Sequence, residues 1–172
     1  MSQELADSLK KEFTQISEID CTAQFMKKGS THKATILKDT QEGVYVFMNE
    51  KACFKVGKAG LKSKARWNSH HYCLNKKSPS TFTKSFISDI DEFKKYFEEE
   101  TIQDLINFPL YLKNIEEGQK LTNEERKKLR TWIENNTDRM EFKLENNNSL
   151  YALDLLEKYI AFKLEPMYEG KS

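Results

Sequence analysis

Apolar and polar positions alternate most regularly between Gly43 and Gly57. Val44, Val46 and Met48 interleave with Tyr45 and Phe47, and further on Ala52, Phe54 and Val56 interleave with Cys53, Lys55 and Gly57. Period-two alternation on both sides of Asn49-Glu50-Lys51 predicts a β-hairpin. With those three residues as the loop, position 48 faces 52, 46 faces 54 and 45 faces 55. Val44, Val46, Met48, Ala52, Phe54 and Val56 then form one apolar face against the core, and the other face sets Tyr45 beside Lys55.

Elsewhere the spacing is helical. Leu5, Leu9, Phe13 and Ile16 predict an amphipathic helix over residues 3–17, followed by short β-like pieces at Thr22–Met26 and Ala34–Leu37. After a turn at Gly57–Gly60, a helix opens at Lys62 or Ser63 and runs to about Tyr72. Ser80 caps the next helix, which buries Phe82, Phe86, Ile87 and Ile90, and Ser88-x-x-Asp91 reads as a capping box. The segment from Phe93 to Leu121 is helical and acidic, broken at Pro109 and Gly118. Thr122-x-x-Glu125 is a second box, opening a helix through Leu129, Trp132 and Ile133. Met140, Phe142 and Leu144 alternate with Glu141, Lys143 and Glu145, which predicts a strand with one wet face. A turn at Asn146–Asn148 leads to a last helix, capped by Ser149, with Leu153, Leu156, Ile160 and Leu164 as its buried stripe; Glu157 borders that stripe and Pro166 ends it. The expected class is α+β, with a small three-stranded, mainly antiparallel sheet flanked by helices.

A chain of 172 residues, 38% hydrophobic, suits one domain with a single core. No run of 18 apolar residues occurs and the opening MSQELADSLKK is charged, so the expectation is a cytoplasmic protein without a membrane segment. Cys21, Cys53 and Cys73 have no ligand-like spacing and suggest neither disulfides nor zinc. His32 reads as a surface histidine.

The net charge of +1 conceals segregation. Residues 51–88 hold nine Lys or Arg and no acid, whereas residues 89–125 hold eleven acids and four bases. Such a tract points to a polyanion as partner. The alternative is a lysine-rich face paired with the acidic block that follows. On the helix after the hairpin, Arg66 and His70 stand four apart and could present a guanidinium and an imidazole to one phosphate; equally, both could simply face water.

Order and spacing together resemble the GIY-YIG endonuclease family, including a compact bacterial branch with small restriction enzymes. Gly43-Val44-Tyr45 stands where the family has GIY, and Lys55-Val56-Gly57 where it has YIG or YVG, followed by Lys58-Ala59. Arg66 follows Tyr45 by 21 positions, as the family's arginine does, and His70 occupies a position held there by His or Tyr. Glu157 precedes Pro166-Met167-Tyr168 by the nine positions that separate the family's glutamate from its proline-aromatic turn. Asn136-Thr137-Asp138-Arg139 and Ser80-Thr81 also fit that branch. Lys55 departs from the second tyrosine and Glu169 from a terminal asparagine.

The resemblance implies one nuclease domain over 1–172: an extension over 1–42, hairpin and basic helix over 43–72, a helical insertion over 73–135, and third strand with closing helix over 136–172. It implies a metal-dependent DNA endonuclease leaving 5′-phosphate and 3′-hydroxyl ends. Glu157 would hold one Mg²⁺ or Mn²⁺. Tyr45 would position or deprotonate water with Lys55 favouring the phenolate, Arg66 would neutralise the phosphoryl group, and His70 would relay a proton. His71 and Tyr72 are alternates for that relay. Together with Lys58, Lys62, Lys64, Lys76, Lys77 and Arg139 they are the expected contacts to DNA, which is expected to be double-stranded. Double-strand cutting from one site suggests a homodimer. Restriction is the favoured role, with repair or mobile-element nucleases as alternatives. Two other readings remain: a nucleic-acid-binding module without chemistry, and an interaction domain whose acidic middle docks a basic partner.

Overall fold

The structure is a computed structural model that describes residues 2–74, 81–145 and 151–168. Helix α1 (Gln3–Ser17) leads into β1 (Cys21–Met26); β2 (Gly43–Met48) and β3 (Cys53–Ala59) form the hairpin; and α2 (Lys64–Asn68) is followed by a 3-10 turn, His70–Tyr72. The insertion supplies α3 (Thr81–Ser88), α4 (Ile90–Lys94), α5 (Glu99–Ile102), a 3-10 turn at Gln103–Leu105, α6 (Phe108–Glu116) and α7 (Asn123–Asn136). Strand β4 (Asp138–Leu144) and helix α8 (Ala152–Leu164) close the chain. None of the described helices is long and apolar enough to cross a membrane.

The sheet has four antiparallel strands in the order β1-β4-β2-β3, one more than the predicted three. The extra strand is β1, paired with β4 from Cys21 opposite Leu144 to Met26 opposite Arg139. The second β-like piece, Ala34–Leu37, forms no strand. Instead its Thr35 donates both its amide and its hydroxyl to Glu141 Oε2, at 2.9 and 2.8 Å.

Both sheet faces are covered. On one face α1 and α8 pack Leu9, Phe13, Leu156 and Ile160 against Val44, Val46, Val56, Met140 and Phe142. On the other, Tyr45, Phe47 and Phe54 join Trp67, Phe82, Phe86, Phe93 and Trp132 from the segments that follow the hairpin. Phe86 stacks on Trp132 with ring centroids 5.5 Å apart, and Phe47 on Phe82 at 4.9 Å. Each fully buried aromatic of this kind contributes about 1.5–3 kcal/mol, so the insertion is an integral part of the core. Every β2 residue is consequently buried. The wet face expected for β4 shrinks to half-buried Lys143, because Glu141 is sealed beneath Thr35.

The hairpin register differs from the predicted one. The Asn49 amide donates to the Ala52 carbonyl, while Asn49 Oδ1 accepts from the amides of Lys51 and Ala52 at 2.9 and 3.0 Å, so the turn takes four residues. The ladder shifts between Phe47 and Met48: Met48 faces Cys53, while Phe47 faces Lys55, Val46 faces Val56 and Tyr45 faces Gly57. Phe54 thereby moves to the aromatic layer and Cys53 takes its place beneath α1 and α8.

The Thr122–Glu125 capping box forms as predicted, with bonds of 3.2 and 2.7 Å. The Ser88–Asp91 box does not: α4 starts after Asp89 without a side-chain cap. Helix α1 leaves Ile16 exposed, because Glu18 ends the helix in a left-handed conformation just beyond it. The single helix expected over 63–72 breaks at Ser69. The predicted caps Ser80 and Ser149, and the turn at Asn146–Asn148, lie outside the described residues.

Candidate active site at the β3 edge

Strand β3 is the last in the sheet, and the candidate site is built where side chains from both faces reach its free edge. Tyr45 reaches it because Gly57 stands opposite. A Cβ at Gly57 would collide with the phenol hydroxyl and ring, so glycine alone lets the ring lie across β3. His71 covers Tyr45 with ring centroids 4.1 Å apart. Only 3% of Tyr45 is exposed. Burial pushes its phenol well above the ordinary tyrosine range; Arg66 opposes that rise and Glu157 adds to it.

Glu157 arrives from the other face. It borders the stripe by which α8 packs on the sheet, 112 positions after Tyr45 in the chain. Lys58, opposite Val44, projects toward the same face; its Nζ lies 2.7 Å from Asp154 Oδ1 and 2.9 Å from Glu157 Oε2. Both carboxylates hold the Lys58 ammonium above its ordinary range, Asp154 more strongly. The Glu157 side chain retains 20% exposure. Tyr45 itself lies in the aromatic layer on the opposite face of the sheet.

Helix α2 supplies the third side. It is pinned by Trp67, whose ring occupies the space a Cβ on Gly43 would need and whose Nε1 donates to the Thr35 carbonyl at 2.8 Å. The two glycines of the GIY-like and YIG-like motifs thus each make room for an aromatic ring. Arg66, next to Trp67, is exposed and makes no ion pair among the described residues. Despite the break at Ser69, His70 remains close to it: burial, and then the Arg66 charge, push the His70 imidazole below its ordinary value. Tyr45 thus feels charge from both Arg66 and Glu157, and His70 from Arg66.

Other predicted site residues lie elsewhere. Lys55 is opposite Phe47 rather than Tyr45, buried on the same face one pair further along, and its ammonium bears on His71. His71 is buried as the cover over Tyr45, with its imidazole held neutral by burial. Arg139 is not a DNA contact. It is wholly buried, 2.7 Å from Glu141, donating to Tyr72 Oη at 2.9 Å and to the Trp67 carbonyl. Tyr72 is held in that network as well, and its hydroxyl also meets His32 Nδ1 at 2.9 Å. His32 is thus buried rather than superficial, and burial pushes it down to about 4. Reading Glu141 and His32 as surface residues concealed this network; the signal for it was three apolar-flanked polar residues, Arg139, Glu141 and Lys143, on a strand whose other face was already core.

Much of the basic tract is neutralised. Lys51 pairs with Glu98 at 3.0 Å, Lys64 with Asp39 at 2.8 Å and Lys84 with Glu116 at 3.5 Å, two of the three partners lying in the acidic block. Lys62 is exposed, in a left-handed conformation, beside Arg66's helix. Lys76, Lys77 and Glu169 lie outside the described residues.

Among the described residues no three His, Cys, Asp or Glu side chains gather as a metal cluster. A hard divalent cation held mainly by water and phosphate needs only one or two carboxylates. Glu157 and Asp154, one helical turn apart and already converging on one cationic group, fit that requirement. Compared with protein-family models, curated proteins and solved structures, the chain finds no match in any of the three.

Proposed function

We propose that the protein is a metal-dependent endonuclease that hydrolyses DNA phosphodiester bonds, leaving 5′-phosphate and 3′-hydroxyl ends. What supports this reading is that the Tyr45 phenol, admitted across β3 by Gly57, feels the charges of both Arg66 on α2 and Glu157 on α8. Glu157, with Asp154 beside it, would hold Mg²⁺ or Mn²⁺. Bound there, the cation would polarise the scissile phosphate and stabilise the leaving oxygen. Arg66, without an ion pair among the described residues, would supply its guanidinium to the phosphoryl oxygens.

The proton chemistry departs from a tyrosine base. The raised Tyr45 phenol stays protonated at neutral pH, so it orients water as a hydrogen-bond donor. The lowered His70 imidazole is neutral there and accepts the proton. Lys55, across from Phe47, acts on the His71 cover and not on the phenolate.

Plasmid nicking with Mg²⁺ or Mn²⁺ tests the assignment. Glu157→Gln and Arg66→Ala are each expected to lower the rate by roughly 10²–10³-fold. His70→Ala should remove the acidic limb of the pH profile, whereas Tyr45→Phe should lower the rate without moving that limb. Unchanged cleavage in all four variants sinks the assignment. A second reading, DNA binding without cleavage, is favoured by one observation: Lys58 occupies the cation position between Asp154 and Glu157. It predicts salt-dependent binding and no cleavage with either metal. A restriction role would further require defined ends in the cleaved plasmid.

A further inference from the structure

A basic hollow lies on the other flank of α2 from Arg66. It has a volume of about 520 Å³ and is enclosed by residues 31–37, one side of α2 and Arg130 of α7. Lys33, Lys64 and Arg130 supply three cations to it, and none of its described lining residues is acidic. Thr31, Asn68 and Ser69 add polar side chains that make no hydrogen bond among the described residues.

The walls are held in place from beneath. Residues 31–37 form no helix or strand, yet Thr35 donates to Glu141, its carbonyl accepts from Trp67, and the Ile36 carbonyl accepts from Lys143 Nζ at 3.4 Å. Arg130 is oriented by Glu134, Nε to Oε1 at 3.0 Å, and its guanidinium lies 5.0 Å from the centre of the Tyr72 ring. Lys64 pairs with Asp39, but both side chains are more than half exposed, and so solvated a pair yields readily to an incoming anion. Lys33 is exposed and has no ion pair among the described residues. Asp39 and Glu134 themselves lie outside the lining. Cations and hydroxyls around a space that holds no carboxylate select an anion, and a phosphate group offers enough acceptor oxygens to engage several of these donors at once.

Helix α2 links this hollow to the candidate site. At 100° per residue Lys64 and Asn68 project about 40° apart, and Arg66 points to the opposite flank. Exposed Ala65 forms the ridge between the two flanks, and buried Trp67 faces the core. A helix with its side chains is about 10–12 Å across and a B-DNA major groove about 12 Å wide, so cations on the two flanks of α2 match phosphates on the two walls of one groove. We propose that the hollow is a DNA-phosphate subsite, in which Lys33, Lys64 and Arg130 hold one backbone of a duplex while Arg66 meets the scissile phosphate on the other. The subsite rests on the nuclease reading and adds to it the path of the DNA, across α2.

Anisotropy titration of a labelled duplex with the full chain, in EDTA and over a salt series, tests it. Lys33→Glu and Asn68→Asp, both at exposed positions, should each weaken binding about tenfold, and Lys33→Met should lower the slope of log affinity against log salt by about one phosphate contact. Lys11→Glu makes the same charge change on α1, which packs on the other face of the sheet, and should alter affinity less than about twofold. In Mg²⁺ the hollow variants should raise KM and leave kcat unchanged at saturating duplex, whereas Arg66→Ala lowers kcat. Calorimetry with inorganic phosphate separates the two sources of the anion: free phosphate that binds wild type and not Lys33→Glu, with duplex affinity unchanged, overturns the proposal. Equal loss of duplex affinity in Lys33→Glu and Lys11→Glu also overturns it, and the nuclease reading survives that result if Arg66→Ala still removes cleavage. A wild type that neither binds nor cuts duplex at low salt overturns the nuclease reading and the subsite with it.

Discussion

Two clusters of opposite charges flank the hairpin, and their surroundings differ. The Arg139–Glu141 pair lies under the aromatic layer, at 0% and 1% side-chain exposure, with its hydrogen bonds made to Tyr72, Trp67 and Thr35 inside the protein. The Lys58–Asp154–Glu157 cluster lies at the free edge of β3, at 34%, 62% and 20% exposure. In the first, the two charges pair with each other inside the fold and only Arg139 Nε and Glu141 Oε1 are left without a hydrogen bond, sealed from solvent. In the second, the ammonium and both carboxylates keep contact with solvent at the edge of the sheet. Charge alone separates the two poorly; burial and the number of internal partners separate them well.

The largest effect expected from breaking this contrast is on stability. Arg139→Ala strands Glu141 as an uncompensated buried carboxylate and should cost about 3–5 kcal/mol in urea unfolding. Glu157→Ala, at the open edge, should cost less than about 1 kcal/mol. Replacing both partners of the sealed pair, as Arg139→Met with Glu141→Leu, should recover most of the loss. If the single and double variants are equally destabilised, the pair's role in the core is other than mutual compensation.

The sealed network should also govern acid sensitivity. His32 contacts Tyr72 and lies near Arg139 and Arg130, and its folded value of about 4 is below the ordinary 6.5. A depressed histidine binds its proton more readily when unfolded. Its contribution is therefore fully present above pH 6.5 and lost as pH falls toward 4, by about 3 kcal/mol in total. His71, also depressed, acts in the same direction. Glu141 is raised by burial and acts oppositely: its contribution is present below its ordinary value and is lost as pH rises through the raised one. Comparing wild type with His32→Gln isolates one histidine. The variant's stability should fall with a slope shallower by up to one proton between pH 6.5 and 4, and equal slopes would show that His32 does not titrate on unfolding.

These contrasts mark what was legible in sequence. The alternation at Val44, Val46 and Met48, the helix stripe Leu153–Leu156–Ile160 and the Thr122 capping box are local patterns, and each formed. The candidate site residues Tyr45, Arg66, His70 and Glu157 follow from motif spacing, and the notch at Gly57 that admits the Tyr45 ring belongs to the same motif. Three features were not legible. The register of Lys55 depended on the Asn49 side chain taking two turn amides, which no alternation encodes. The burial of Glu141, Arg139 and Tyr72 depended on Thr35, His32 and Trp67, far away in the chain, which local periodicity on β4 cannot report. The neutralisation of Lys51 and Lys84 depended on acids more than 30 positions away.

The smallest expected effect is also the one that best separates catalysis from binding at the open edge. Lys58 stands 2.9 Å from Glu157, where a hard cation would be held. Lys58→Met removes that competitor while leaving the carboxylates in place. Because the pair is partly solvated, the gain is bounded by about 1 kcal/mol, or roughly fivefold in apparent affinity for Mn²⁺ by titration calorimetry. If Asp154 and Glu157 are the metal's ligands, Lys58→Met binds Mn²⁺ more tightly and Glu157→Gln abolishes the binding. If Lys58 is instead the permanent cation of a non-catalytic module, its removal leaves Mn²⁺ affinity unchanged and lowers DNA affinity and its salt slope by about one phosphate contact.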